Sequence, residues 1–161
     1  MSRAALLPLF QWCDHTAIAI AIRESTWLFP FIQVFHLLGL TLLLGTTVVV
    51  DLRLMGCGLR RQPISRLALN LWPWMQRSLA VILGSGILLF VSEAMKCYGN
   101  DAFWFKMGAL TLALAFHFTV FRATITADDT QVTPLRSRAA GVVSLLLWLS
   151  VGAGGAAIGF V

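Results

Sequence analysis

The sequence predicts an all-α integral membrane protein: an up-down four-helix bundle preceded by an amphipathic helix lying at the membrane surface. Three observations predict it. Apolar residues make up 58% of the chain and charged residues only 12%, about half the ~25% charge of an average soluble domain. The mean hydropathy of +0.83 therefore points to a bilayer, rather than a water-excluded core, taking up the apolar surface. The apolar residues also fall in four runs near the ~20 residues that cross ~30 Å of hydrocarbon as a helix. Helices are expected because backbone groups in lipid must be satisfied within their own segment.

In chain order, residues 6–22 mix Leu6, Leu7, Phe10, Trp12, Ile18 and Ile22 with Gln11, Asp14, His15 and Thr16. That stretch is too polar to span and too apolar to be a free tail, so it reads as one interfacial helix. No small-x-small cleavage site follows a clean hydrophobic run, so the segment is expected to stay attached rather than leave as a signal peptide. Arg23 to Thr26 give a turn and a helix start, with Pro30 tolerated near the first turn. The first span is expected over 27–50. The second, over 71–95, begins at headgroup level with Trp72, Trp74 and Arg77. The third covers 102–121. The fourth, 139–161, is rich in glycine at Gly152, Gly154, Gly155 and Gly159. With no internal repeat or linker, residues 1–161 form one transmembrane domain with short connections.

Charge orients the bundle. The connector 51–77 holds Arg53, Arg60, Arg61, Arg66 and Arg77, and the connector 122–138 adds Arg122, Arg136 and Arg138, eight of the twelve Lys and Arg residues. Asp128 and Asp129 dilute the second connector, but acidic residues weigh little in the positive-inside rule. That rule puts both connectors in the cytoplasm and both termini in the periplasm of a bacterial inner membrane.

Several function classes drop out. The isoelectric point near 9.9 would suit nucleic acid, yet the positive charge lies in short loops that suit topology and anionic lipid; no basic soluble domain exists to hold a nucleic acid. Cys13, Cys57 and Cys97 are an odd set without CxxC spacing, so neither a disulfide framework nor a zinc module is indicated. No nucleophile sits beside a plausible base and no glycine-rich phosphate loop is present, which leans against an enzyme.

What remains is ionisable. His36, Lys106 and His117 lie within or at the rims of hydrocarbon-length helices, where Lys or Asp near a helix centre costs on the order of 2.5–3.5 kcal/mol, so each marks a functional site by default. Gln33, His36, Leu40, Leu43 and Thr47 share one face of the first span by three- and four-residue steps, with Gly39 close by. That face should look into the bundle. Lys106, Ala113 and His117 share a face of the third span. On the second, Gly84 and Gly86 would permit close backbone approach. At about 1.5 Å per residue, His36 sits roughly 14 Å deep, His117 roughly 21 Å and Lys106 roughly 5 Å.

The first and third helices of such a bundle are diagonal, which leaves room for a macrocycle that adjacent helices at about 8–10 Å would not. His36 and His117 are thus an admissible axial pair for haem b, if tilt absorbs an offset of about 7 Å. Lys106 and Gln33 would join as cofactor-binding residues, Lys106 meeting a propionate. Three alternatives stay open: a structural or proton-handling polar cluster, a bare metal site on the two histidines, and a Lys106 that snorkels or pairs with Glu93 or Asp101. The GxxxG pair Gly155 and Gly159, with Gly152, suits helix packing within the bundle or between protomers.

The runs Trp27-Leu28-Phe29-Pro30, Phe35-His36-Leu37-Leu38-Gly39 and Val50-Asp51-Leu52-Arg53-Leu54-Met55-Gly56 resemble a family of small uncharacterised bacterial four-helix membrane proteins. Trp72-Pro73-Trp74, Ser92-Glu93-Ala94 and Phe103 to Lys106 fit the same pattern, so the likeness covers most of the chain. More distantly, the layout is similar to haem-containing membrane protoporphyrinogen oxidases and to the membrane domain of copper-resistance D proteins. The first resemblance implies a fold. The second implies functional roles for His36 and Lys106, although the oxidases' aromatic-rich motif after the histidine is replaced here by leucines and Thr41.

The reading that follows is a small inner-membrane b-type cytochrome for electron transfer or redox sensing. Its expected partners are the lipid bilayer, a second copy of itself in a homo-oligomer and a membrane or periplasmic redox protein. The alternative is a non-enzymatic polytopic protein that handles copper or serves as an accessory subunit.

Overall fold

A computed structural model describes residues 3–57, 64–127 and 133–160, all-helical apart from short turns. Arg60, Arg61, Asp128 and Asp129, which the sequence puts in the connectors, lie outside the described residues.

The segment expected as one interfacial helix is two. After a 3-10 turn at Arg3–Leu6, α1 spans Leu7–Asp14 and α2 spans Ala17–Glu24. Thr16 makes the break: its hydroxyl donates to the Cys13 carbonyl at 2.8 Å and accepts the Ala19 amide at 3.3 Å. One side chain thus ends the first helix and caps the second. Phe10, Cys13, Ala19 and Ile22 turn inward, while Trp12 and Ile18 stay exposed.

Four long helices follow, each apolar enough to cross a membrane; the protein is a multi-pass membrane protein. α3 spans Leu28–Leu54 and α4 spans Ile64–Ser92. Short α5, Ala94–Gly99, leads into α6, Asp101–Phe116, which passes through a π-helical segment, His117–Phe121, into α7, Arg122–Thr126, as one continuous span. α8 covers Pro134–Ala157.

Three of these spans run several residues past the sequence estimate at the connector end, and the fourth begins five residues early. A span read from apolar residues stops at the first charge, whereas a helix stops where its last carbonyls find other partners. At the end of α3 these come from Gly56 at φ +85°, whose amide reaches the Arg53 carbonyl at 3.1 Å, and from Cys57, whose amide reaches Leu52 at 2.8 Å. Asp51 is therefore a helix residue, not a loop residue. At the other ends, Asn100 caps α6 and Thr133 caps α8 ahead of Pro134.

α3 packs along α4 and also against α8; α6 packs on α8, and α7 meets α4 at the connector end. The first and third spans are thus diagonal. Small residues set the contacts, as expected where helices associate by close packing. A Cβ on Gly39 would stand 3.1 Å from Ile82, and one on Gly141 2.8 Å from the Asp51 carbonyl oxygen. The larger apolar core, with Leu43, Leu54, Met75, Phe121 and Trp148, fills the connector half. A smaller aromatic cluster roofs the other end, where Phe10 meets Phe90, Tyr98 and Phe103 at ring separations of 5.2–6.2 Å. Between the two, no α3 residue before Gly39 is buried.

Candidate functional site

The less filled terminal half holds His36. Its Nδ1 lies 2.9 Å from the Ser85 hydroxyl on α4, and that hydroxyl donates its own hydrogen to the Val81 carbonyl at 2.6 Å. A serine has one hydrogen to give. The His36 ring also has a hydrogen bond with the Ile82 backbone. With its hydrogen on Val81, the Ser85 hydroxyl can accept from Nδ1, which would leave Nε2 as the unprotonated nitrogen. This is how ligating histidines are usually oriented, by a hydrogen bond on the far ring nitrogen. Gly86 makes room, since a Cβ there would sit 3.3 Å from the His36 ring.

Lys106 comes from α6 and lies along the glycines of α8. Ideal Cβ positions on Gly154 and Gly155 would meet its stem and ammonium at 3.1 and 3.4 Å. The carboxylates expected as its partners are taken. Glu93 pairs with Lys96, Asp101 with Arg3 at 2.7 Å, and Asp14 with Arg23 at 2.6 Å. Among the described residues Lys106 has no ion-pair partner, and both His36 and Cys97 feel its charge. At the terminal end of the bundle an open cavity of about 600 Å³ is walled by Phe29, Glu93, Lys96, Cys97, Asn100 and Ile158. Neither Lys106 nor His36 lines it, and Cys97 is the wall residue that feels the Lys106 charge. Phe29, Gln33 and His36 recur at four- and three-residue steps, so exposed Gln33 stands on the α3 face between cavity and histidine.

His117 is elsewhere. Its ring is stacked between Trp72 at 5.1 Å and Phe121 at 5.3 Å, with Phe118 and Trp148 edge-on, and only 1% of it is exposed. Nε2 lies 3.2 Å from the Gln76 amide. Ser85 and Gln76, the α4 partners of the two histidines, are nine residues apart, which is about 14 Å of helix. The expected offset of about 7 Å is doubled, and aromatic rings occupy the space a macrocycle would need beside His117. The structure brings His36 within the field of Lys106, leaves Gln33 exposed and sets His117 apart, so one iron shared by both histidines does not fit. Among the described residues no three of His, Cys, Asp and Glu gather into a metal-holding group.

The model of a family of unknown function, DUF6644, matches residues 9–161. The chain belongs to that family. No curated protein and no solved structure matches it. For this DUF6644 chain the likeness to haem-containing oxidases and to the copper-resistance D domain thus rests on the quoted sequence runs alone.

The glycines of the fourth span divide between the two alternatives the sequence left open. Gly155 faces Lys106 within the chain, while Gly152 and Gly159 meet nothing within 4 Å. Sequence reasoning missed two features. Ser85, which bonds His36, carries no signal without its partner. Asp51 carried one: the series 36, 40, 43, 47 continues by four to 51, on the face already singled out. Asp51 is fully buried, as are its neighbours Thr47 and Ser144 to within 1%.

Proposed function

We propose that the protein is a small b-type cytochrome of the bacterial inner membrane, holding haem in the terminal half of its bundle through His36 and serving electron transfer or redox sensing. The observation that carries the reading is His36 tied to Ser85 through Nδ1, an orientation in which Nε2 could meet a ligand. The imidazole lies within the field of Lys106, which has no ion-pair partner among the described residues. A porphyrin brings four of its iron's ligands itself, so one imidazole is enough. Among the described residues no three of His, Cys, Asp and Glu gather around His36, which favours a group that brings its own ligands over a bare metal. When bound, haem would supply one-electron redox chemistry.

The chain's own residues do the rest of the work in this reading. Ser85 orients the imidazole, and Gly86 lets it lie against α4. Lys106 offers a cation to a carboxylate such as a propionate, and Gln33 adds a polar group on the same approach. Arg66, Arg122, Arg136 and Arg138 gather toward the connector end, with Arg122 over Trp72, while Arg77, over Trp74, lies in the middle of α4. By the positive-inside rule that end is cytoplasmic, and the cavity faces the periplasm.

The test is an absorption spectrum of the detergent-solubilised protein, oxidised and reduced, after purification from haem-replete cells or titration with hemin. A Soret band that is lost in His36→Ala and kept in His117→Ala is expected. Absence of any haem, or full occupancy in His36→Ala, would overturn the reading.

A further inference from the structure

A second site lies in the opposite half of the bundle, where α3 meets α8. More than 90% of buried polar groups in proteins are hydrogen-bonded, and an exception calls for an unseen water or ion. Among the described residues five side-chain atoms are buried without a partner; one is Nδ1 of His117, and the other four belong to three residues here: Thr47 Oγ1, both carboxylate oxygens of Asp51, and Ser144 Oγ. Thr47 and Asp51 are one turn apart on α3 and share a face. On α8, Gly141 presses against the Asp51 backbone, and Ser144, three residues on, turns its hydroxyl toward the Asp51 carboxyl without completing a hydrogen bond of normal geometry.

We propose that Asp51, Thr47 and Ser144 form a buried binding site for a monovalent hard cation, sodium, that ties α3 to α8. Three features of the cluster argue for it. All of the unpartnered atoms are oxygens, the donors that hard cations take. Ser144 lies within interaction range of the Asp51 carboxyl and Thr47 one turn from it on the same face, yet none of these oxygens completes a hydrogen bond of normal geometry. Charge fixes the valence. Asp51 is fully buried and no described Lys, Arg or His bonds it, so a single carboxylate is balanced by a single positive charge, whereas a divalent ion would leave a net charge buried. The site is three residues from the end of α3, close enough to the connector side for an ion to enter. It shares no residue with the His36 region, so it stands or falls independently of the haem reading.

Thermal unfolding of the full-length, detergent-solubilised protein in sodium chloride and in choline chloride at equal ionic strength tests the site. With sodium at about ten times its dissociation constant, Tm should rise by roughly 3–6 °C over choline. Asp51→Asn, nearly isosteric, should abolish that difference, and Ser144→Ala should raise the sodium concentration needed about tenfold. Equal Tm values in the two salts would overturn the proposal in favour of ordered water or a protonated carboxyl. A sodium response that persists in Asp51→Asn would overturn it as well.

Discussion

His36 and His117 occupy the two halves of the same bundle and have been given opposite surroundings. Around His36 the helices pack less tightly, no α3 residue before Gly39 being buried, and one ring nitrogen is tied to Ser85. Around His117 four aromatic rings close in, and the imidazole behaves as one more flat ring of the core. The rarity of ionisable groups at membrane depth marks both residues equally. What separates them is packing: a polar side chain becomes available for chemistry only where its neighbours stop short of filling the space around it.

The largest test of this contrast is stability. His117→Ala removes a ring from a filled box and should cost about 3 kcal/mol, as large-to-small core changes do. His36→Ala loses one hydrogen bond and should cost about 1 kcal/mol. Reversible unfolding in mixed detergent would compare them, and equal losses would erase the distinction between the two halves. Next in size is Ser85→Ala. Loss of the group that orients a ligating histidine typically weakens metal binding 10–100-fold, so hemin titration should show a shift of that order while unfolding changes little.

Gly155→Leu should act on Lys106. The new side chain meets the ammonium end, which is flexible, so the bundle should form normally and hemin affinity should fall roughly fivefold, the scale of a displaced charge contact. Particle size in detergent should not change, and a shift to a smaller particle would instead make this glycine stripe a contact between protomers.

The smallest effect concerns the cavity wall. Burial, reinforced by the Glu93 carboxylate, pushes the Cys97 thiol above its ordinary pKa, against a weaker pull from Lys106 and Lys96. A raised pKa leaves less thiolate at any given pH. In variants with a single cysteine, Cys97 should therefore react with maleimide more slowly than exposed Cys57, and its rate should climb at higher pH than for a free thiol. Similar pH profiles for the two would mean the wall is wetter than its packing implies.

The spans were legible because bilayer thickness dictates their length, and their ends were not, because Gly56 and Asn100 stop or start helices by hydrogen bonds rather than by hydropathy. The His36 face was legible from its three- and four-residue steps. Its distance from His117 was not: the register of α3, α4 and α8 is set by where Gly39, Gly141 and Gly154 let backbones touch, and no single helix carries that information. The break at Thr16 went unread because Thr16 and the apolar residues around it also suit one continuous amphipathic helix. Lys106 looked paired because Glu93 and Asp101 lie at similar depth, yet Lys96 stands closer along the chain to Glu93, and Arg3 reaches Asp101 from the roof.

The roof also has an order of assembly written into it. One guanidinium, that of Arg23, holds the Asp14 carboxylate, the Asp14 carbonyl and, at 3.3 Å, the Ser92 carbonyl at the far end of α4. During synthesis Ser92 reaches that side of the membrane only after the first hairpin of spans has been inserted, and Asp101, the partner of Arg3, follows it. The N-terminal segment therefore waits at the surface while the chain is threaded, then fastens in two steps, first to the completed hairpin and then to the third span. The aromatic roof around Phe10 closes last.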